Sequence, residues 1–408
     1  MADESAKSSS QLAQRGVALT ASGAFGVSAT SDWSRWVATG RLPQSADGAG
    51  FAVDFASDVE LFSQIGANAL RLTIDWSRLE PKKGVWDDDV VDLYGEILRA
   101  AKQNNIAVWA VLHDGPLPGW FSDDERGFSN DDAVNLTWPR HVDRVAETFG
   151  DAVSAWVPVM DPFTRAQQSF LLANRPPGII DQEKFLNQLF QLHLASFAAL
   201  RLLKSGDPKV VCCLDLCSTH SATRTRQPEE RELAQKNAEF IDRLRFGIWR
   251  RALLDGVLAV PYLAEKEIDG LAGAYDLIGF TSRGSQSIFA DNSFAAYPTN
   301  QPMADDGNAP WATGIANDIR LLQETFGKRS LALLGTGVVA ANDEWRSEHF
   351  YETVAVTKEA KNDGIDIAAG FWESGIDSWT PECGLEIPDG IIDRNRNPRL
   401  SARAMLEW

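Results

Sequence analysis

A single closed (β/α)8 barrel of the TIM type is the fold this sequence predicts, and three observations predict it. Eight short apolar runs with the length and composition of buried strands recur along the chain. Seven of them are followed by segments in which apolar residues return at helical spacing, as a parallel sheet with crossover helices requires. No Pro/Ser-rich linker and no short internal repeat divides the 408 residues, a length that one barrel with insertions accommodates.

The elements read in order as follows. A polar tail is expected over residues 1–16 and the barrel over 17–408, with the first strand at Phe25-Gly26-Val27. Ala69 to Ile74 is a short apolar strand ahead of a Trp76-Ser77-Arg78 loop. Val90 to Lys102 places Val91, Leu93, Ile97, Leu98 and Ala101 on one helical face. Ile106 to Leu112 is the third strand and ends at His113-Asp114. Trp138 to Phe149 is helical and leads into a strand at Trp156. Leu186 to Lys204 is a long apolar-rich helix ahead of the fifth strand, Lys209 to Cys217. Leu233 to Leu254 is helical before a strand at Leu277 to Phe280. Gly314 to Phe326 precedes Leu331 to Leu334, and His349 to Asp363 precedes the closing strand, Ile367 to Trp372.

Charge narrows the partners. With 39 Lys and Arg against 57 Asp and Glu, the net charge is −18. That balance excludes nucleic acid and anionic membrane surfaces, both of which need basic patches. No run approaches the ~18 apolar residues of a membrane span. Met1 to Gln14 is polar and small and lacks the apolar stretch of a secretory signal, so it reads as the disordered tail of a cytoplasmic protein. Cys212, Cys213 and Cys217 share the fifth strand, with Cys383 far off. Adjacent Cys212 and Cys213 point to opposite faces of that strand, as small core residues. The cysteines show no metal-ligand spacing, so neither metal nor cofactor is expected. The expected partner is a small molecule, with a second copy or a partner protein left open.

Trp156-Val157-Pro158-Val159-Met160-Asp161-Pro162-Phe163 resembles the strand-four signature of family 1 glycoside hydrolases, in which a Trp, a short β-run and Asn-Glu-Pro carry the general acid/base. Leu70-Arg71-Leu72-Thr73-Ile74-Asp75-Trp76-Ser77-Arg78-Leu79-Glu80-Pro81 is similar to that family's strand-two block. Val111-Leu112-His113 resembles the strand-three end that supplies a sugar-contacting His, and Gly127-Phe128 a Gly-Trp turn. Gly364-Ile365-Asp366-Ile367 with Gly370-Phe371, then Arg399 and Ser401-Ala402, are similar to the run into the last strand and to the tail. The blocks stand in the family's order from about Gly23 to Ala402. The resemblance implies a barrel with its pocket at the C-terminal strand ends. In hydrolytic members it implies a retaining mechanism, with two carboxylates ~5–5.5 Å apart acting as acid/base and nucleophile.

The chemical positions depart from that pattern. Asp161 stands where the acid/base Glu belongs, one methylene shorter, and Met160 stands for its Asn. Leu333-Leu334-Gly335-Thr336-Gly337 matches the strand-seven end, so Gly335 falls at the nucleophile, and no Asp or Glu lies between Glu324 and Asp343. Thr281-Ser282-Arg283 replaces Asn-Tyr-Tyr, and the Gln clamp expected after Phe25-Gly26-Val27 is missing. In Glu373 to Pro381 the hydroxyl-gripping Glu becomes Thr380, and its flanking Trp residues become Glu373 and Pro381. The resemblance therefore groups Arg71, Trp76, His113, Asp114, Met160, Ser282, Arg283, Asp377, Trp379 and Thr380 as ligand-binding positions around Asp161, Gly335 and Glu373. Arg71, facing Gly335, needs a new partner, and Glu373 is a candidate for it.

Three functions follow from this reading. One is a non-catalytic barrel that binds a carbohydrate or another small molecule, alone or beside an active partner. The second is an enzyme of altered mechanism, using Asp161 with Glu373, Asp114 or His113. The third is an ordinary β-glucosidase, which Gly335 disfavours.

Overall fold

The first strand forms at Gln14–Leu19 (β1), earlier than the sequence places it. The computed structural model describes residues 11–408. Within them Leu12 is buried and its amide donates to the Trp408 carbonyl at 3.0 Å. The polar tail therefore does not extend to residue 16, and residues 1–10 of it lie outside the described residues. The start of β1 looks polar because Gln14 and Arg15 are only half-buried, whereas Gly16, Val17, Ala18 and Leu19 are buried. Gly16 has a packing reason, since a Cβ there would stand 2.0 Å from the Ala69 carbonyl oxygen. Phe25, expected in the first strand, instead ends a short helix at Ala21–Phe25, and Gly26 at φ +74° turns the chain away.

Seven further parallel strands complete the barrel: Ala69–Thr73 (β2), Ala107–Val111 (β3), Ala155–Val157 (β4), Lys209–Ser221 (β5), Leu277–Ile288 (β6), Leu331–Gly337 (β7) and Ile367–Glu373 (β8). Each pairs with the next, β8 pairs with β1, and the β6–β7 pairing leaves no edge in the ring. Helices follow the strands, among them Phe51–Gln64 (α1), Asp88–Gln103 (α2), Trp138–Phe149 (α3), Pro162–Phe170 (α4), Gln182–Leu203 (α5), Pro228–Asp242 (α6), Ala312–Phe326 (α7) and Asp343–Asn362 (α8).

Alternation along the strands sorts the core into two layers. Ala18, Ala69, Trp109, Val157, Cys213, Leu334 and Phe371 fill the barrel interior. Leu70, Val108, Trp156, Cys212, Leu333 and Trp372 face the surrounding helices. Cys212 and Cys213 thus take opposite faces of β5, both as free, buried thiols. Register is irregular at several points, and β7 slips against both neighbours near the barrel mouth, at residues 333–335 against β6 and at 333–336 against β8. That irregularity marks the rim where the candidate site lies.

Candidate functional site

Arg71 from the middle of β2, Asp161 from the loop after β4 and Glu373 from the end of β8 meet in one charged layer at the mouth of the barrel. Asp161 stands just before α4, beyond the short bend that follows β4, in the left-handed conformation, φ 46° and ψ 56°, a costly setting for a non-glycine residue. Its Oδ1 accepts from the Thr281 hydroxyl at 2.6 Å and its Oδ2 from Arg283 Nη2 at 2.9 Å. Arg165, one helical turn on, brings Nη2 to 4.0 Å. Burial pushes the Asp161 carboxyl up, but Arg283 and Arg165, with the Thr281 hydrogen bond, outweigh it and hold the group below the usual carboxylate range.

Arg71 is wholly buried. It donates from Nη2 to Glu373 Oε1 at 2.5 Å and from Nη1 to the Leu334 carbonyl. Gly335 lies beside this pair. A Cβ on Gly335 would stand 2.5 Å from Glu373 Oε1 and 2.9 Å from Arg71 Nη1, so the space a side chain would use is already taken. Arg283 completes the layer, reaching Glu373 Oε2 at 3.1 Å from the same Nη2 that serves Asp161. The order Asp161–Arg283–Glu373–Arg71 alternates in sign, with a guanidinium standing between the two carboxylates.

The cavity above has two adjoining lobes. The inner, about 150 Å³, is lined by Arg71, Asp114, Arg283, Glu373, Trp379 and Thr380, among others. The outer, about 860 Å³, is lined by His113, Arg126, Phe128 and Gln188 in part. Trp33, Arg165, Gln168 and Arg175 line both. Trp33 and Trp379 form an aromatic wall with ring centroids 6.2 Å apart. Asp114 is buried and accepts from Arg165 Nη2 at 2.9 Å and from the Thr73 hydroxyl at 3.3 Å. Burial raises its carboxyl against the opposing pull of Arg165 and Arg71. Arg175 is paired with Glu382 across the rim.

The family 1 glycosyl hydrolase profile matches residues 29–405, almost the whole chain. The protein belongs to glycosyl hydrolase family 1. Among the solved structures similar to it, the β-glycosidase from Pyrococcus horikoshii superposes with TM-score 0.84 at 22% identity, over 96% of this chain and 92% of that one. A family 1 β-glucosidase from Thermotoga maritima gives TM-score 0.83 at 17% identity, over 96% of each chain. By sequence the chain is 21% identical to β-glucosidase 21 of Oryza sativa subsp. japonica over 430 residues, which covers 91% of this chain and 83% of the relative.

Several residues that the sequence grouped with the site stand elsewhere in this family 1 barrel. Trp76 is buried in an aromatic cluster, stacked on His141 at 4.2 Å, with Nε1 donating to Glu80 at 2.8 Å. Its indole serves packing because Glu80, one helical turn on, captures the N–H. Asp377 is held by both Arg399 nitrogens at 2.6 Å and by the Gly390 amide, and ties down the loop after β8. Met160 is buried in the barrel interior. Ser282 turns away from the cavity to donate to Asp318 at 2.7 Å. His113 faces the outer lobe, against Phe128, and burial followed by Arg165 depresses its pKa to about 3, so it stays neutral.

Sequence reasoning missed Trp33, Arg165, Gln168 and Arg175. Arg165 carried a usable signal, since Pro162 opens a helix and position i+4 returns over Asp161.

Proposed function

We propose that this family 1 barrel does not hydrolyse glycosides by the retaining route, and that its mouth binds a carbohydrate or a similar small molecule. The observation that carries this reading is the packing of Gly335, whose side-chain space is filled by the Glu373 carboxylate and the Arg71 guanidinium. Glycine offers no atom that forms a glycosyl-enzyme bond. Glu373 is a poor substitute, because Arg71 and Arg283 engage both of its oxygens and lower their nucleophilicity. Asp161, held ionised, has no proton to give a leaving group. The space where an inverting pair would keep its water is crossed by Arg283 Nη2.

What the site retains suits binding. Each charge in the layer has a partner, so the arginines offer N–H donors and the carboxylates offer acceptors to hydroxyls without an unpaired charge being buried. Trp33 and Trp379 supply an apolar face for a ring. A second reading, altered chemistry at the same mouth, draws on Asp114, whose raised carboxyl lines the inner lobe.

The test is thermal shift of the full chain against a library of sugars and small metabolites, repeated for Trp379→Ala. Binding predicts at least one stabilising compound whose shift is lost in the variant. A compound consumed during incubation would favour altered chemistry, and a library without any hit would remove the binding reading.

A further inference from the structure

Two loops meet across the barrel mouth, residues 171–181 between α4 and α5 and residues 374–392 after β8. Arg175 Nη2 of the first donates to Glu382 Oε1 of the second, and among the described residues no other hydrogen bond or ion pair joins the two loops. Glu382 stands at the tip of a turn that Thr380 and Gly384 close with reciprocal backbone hydrogen bonds of 3.0 and 2.8 Å. The pair lies where the two lobes adjoin, since Arg175 lines both, whereas Glu382 and the rest of its loop line the inner one only. Its two members are unequally held. The Arg175 side chain is 6% exposed, donates from Nη1 to the Asn174 carbonyl at 2.7 Å, and lies 5.5 Å from the centroid of the Trp33 ring. The Glu382 side chain is 32% exposed and has no second partner. Opening the pair therefore returns Glu382 to water and leaves Arg175 its carbonyl and its ring, so neither charge is stranded.

We propose that the Arg175–Glu382 pair is a latch on the neck between the lobes, and that the inner lobe admits its occupant when the pair opens. This rests on the reading of the barrel mouth as a binding site and adds how that site is entered. The neck is formed by the residues common to both lobes, Trp33, Arg165, Gln168 and Arg175. Arg165 is its fixed side, because it is tied to Asp114, whose side chain is 1% exposed. Arg175 is its movable side, because its tie ends on a carboxylate within reach of solvent. Water and salt compete for such a carboxylate, so the pair is weak, opens readily and loosens as ionic strength rises. With the pair closed, the loop after β8 is held against the loop after α4 over the inner lobe. With it open, nothing but apolar contact holds the two loops together.

The deciding experiment needs no ligand, so its failure is separate from failure of the binding reading, which the library screen tests. Thr164, half-buried on α4, lines the inner lobe and is replaced in the full chain as Thr164→Cys. The rate at which methyl methanethiosulfonate, a small neutral reagent, labels that cysteine is followed by peptide mass, which separates it from Cys217 and Cys383. Adding Glu382→Gln is expected to raise the rate at least about fivefold without lowering the unfolding temperature. Raising NaCl from 0.05 to 0.5 M is expected to speed labelling when Glu382 is present and to leave the Glu382→Gln protein unchanged. Asp306→Asn, which removes another carboxylate of the same lobe and leaves the pair intact, is expected to change nothing. Equal rates with and without Glu382 overturn the latch, as does a cysteine that stays unlabelled in both proteins. An equal acceleration by Asp306→Asn overturns it too, since charge alone then sets the rate, and so does an acceleration that comes with a lower unfolding temperature.

Discussion

Glu373 Oε1 lies 2.5 Å from the point where a Cβ on Gly335 would sit, and its carboxylate reaches Arg71 across that space. The last strand thus fills a place that strand seven leaves empty. Gly335→Ala should push Glu373 off Arg71 and cost about 1–3 kcal/mol, as overpacking does. In a Glu373→Ala background the same change should cost less, with a coupling of roughly 0.5–3 kcal/mol. Denaturant unfolding of the four proteins measures this. Additive effects would mean that the two positions do not share the space.

Arg71 should be more sensitive than any other charge in the layer. It is wholly buried, and removing one partner of a buried ion pair typically costs about 3–5 kcal/mol. Arg71→Met should therefore unfold at markedly lower denaturant, with the loss reduced when Glu373→Gln is added. A loss below 1 kcal/mol would show that the pair is dispensable.

Stability should also carry a specific pH signature. Burial raises Asp318 to about 7, against the Ser282 hydrogen bond, and an unfolded Asp titrates near 3.8. The folded state therefore binds the extra proton between those values. The stability this group contributes is present below about 3.8 and is lost as pH rises toward about 7. Asp318→Asn keeps an acceptor for Ser282 and removes the titration. Its unfolding free energy should fall less steeply than the parent's between pH 4 and 7, and an unchanged slope would contradict the assignment.

The barrel itself was legible in the sequence because buried parallel strands read as continuous apolar runs, and those at Ile106, Leu331 and Ile367 stand out from their surroundings. The first strand was not, since Gln14 and Arg15 are polar and Gly16 is there to admit a neighbouring backbone. At the mouth, the substitutions at Asp161, Gly335 and Arg283 were visible position by position. Their pairing was not, because Arg283 meets Asp161 across 122 residues, a distance only ring closure spans. Asp377 and Trp76 misled for the opposite reason. Their residue types suit a ligand, and their partners Arg399 and Glu80 claim them instead.

Restoring hydrolysis should need more than the missing carboxylate. Gly335→Glu alone should give nothing, because Glu373 occupies the space and Arg283 bridges the carboxylates. Adding Asp161→Glu and Thr380→Glu should still fail while Arg283 remains. Activity should emerge only when Arg283→Tyr and Glu373→Trp are included, which returns both positions to the residues the family pattern carries. Rescue by Gly335→Glu alone would mean that the ion pairs yield easily to a new side chain.

The most direct test is release of a chromogenic phenol from aryl β-glycosides by the unmodified protein, beside Asp161→Ala. The mouth described here predicts no release above the Asp161→Ala background, since Gly335 supplies no nucleophile and Asp161 has no proton to donate. Turnover at the efficiency of a working β-glucosidase, abolished by Asp161→Ala, would contradict it.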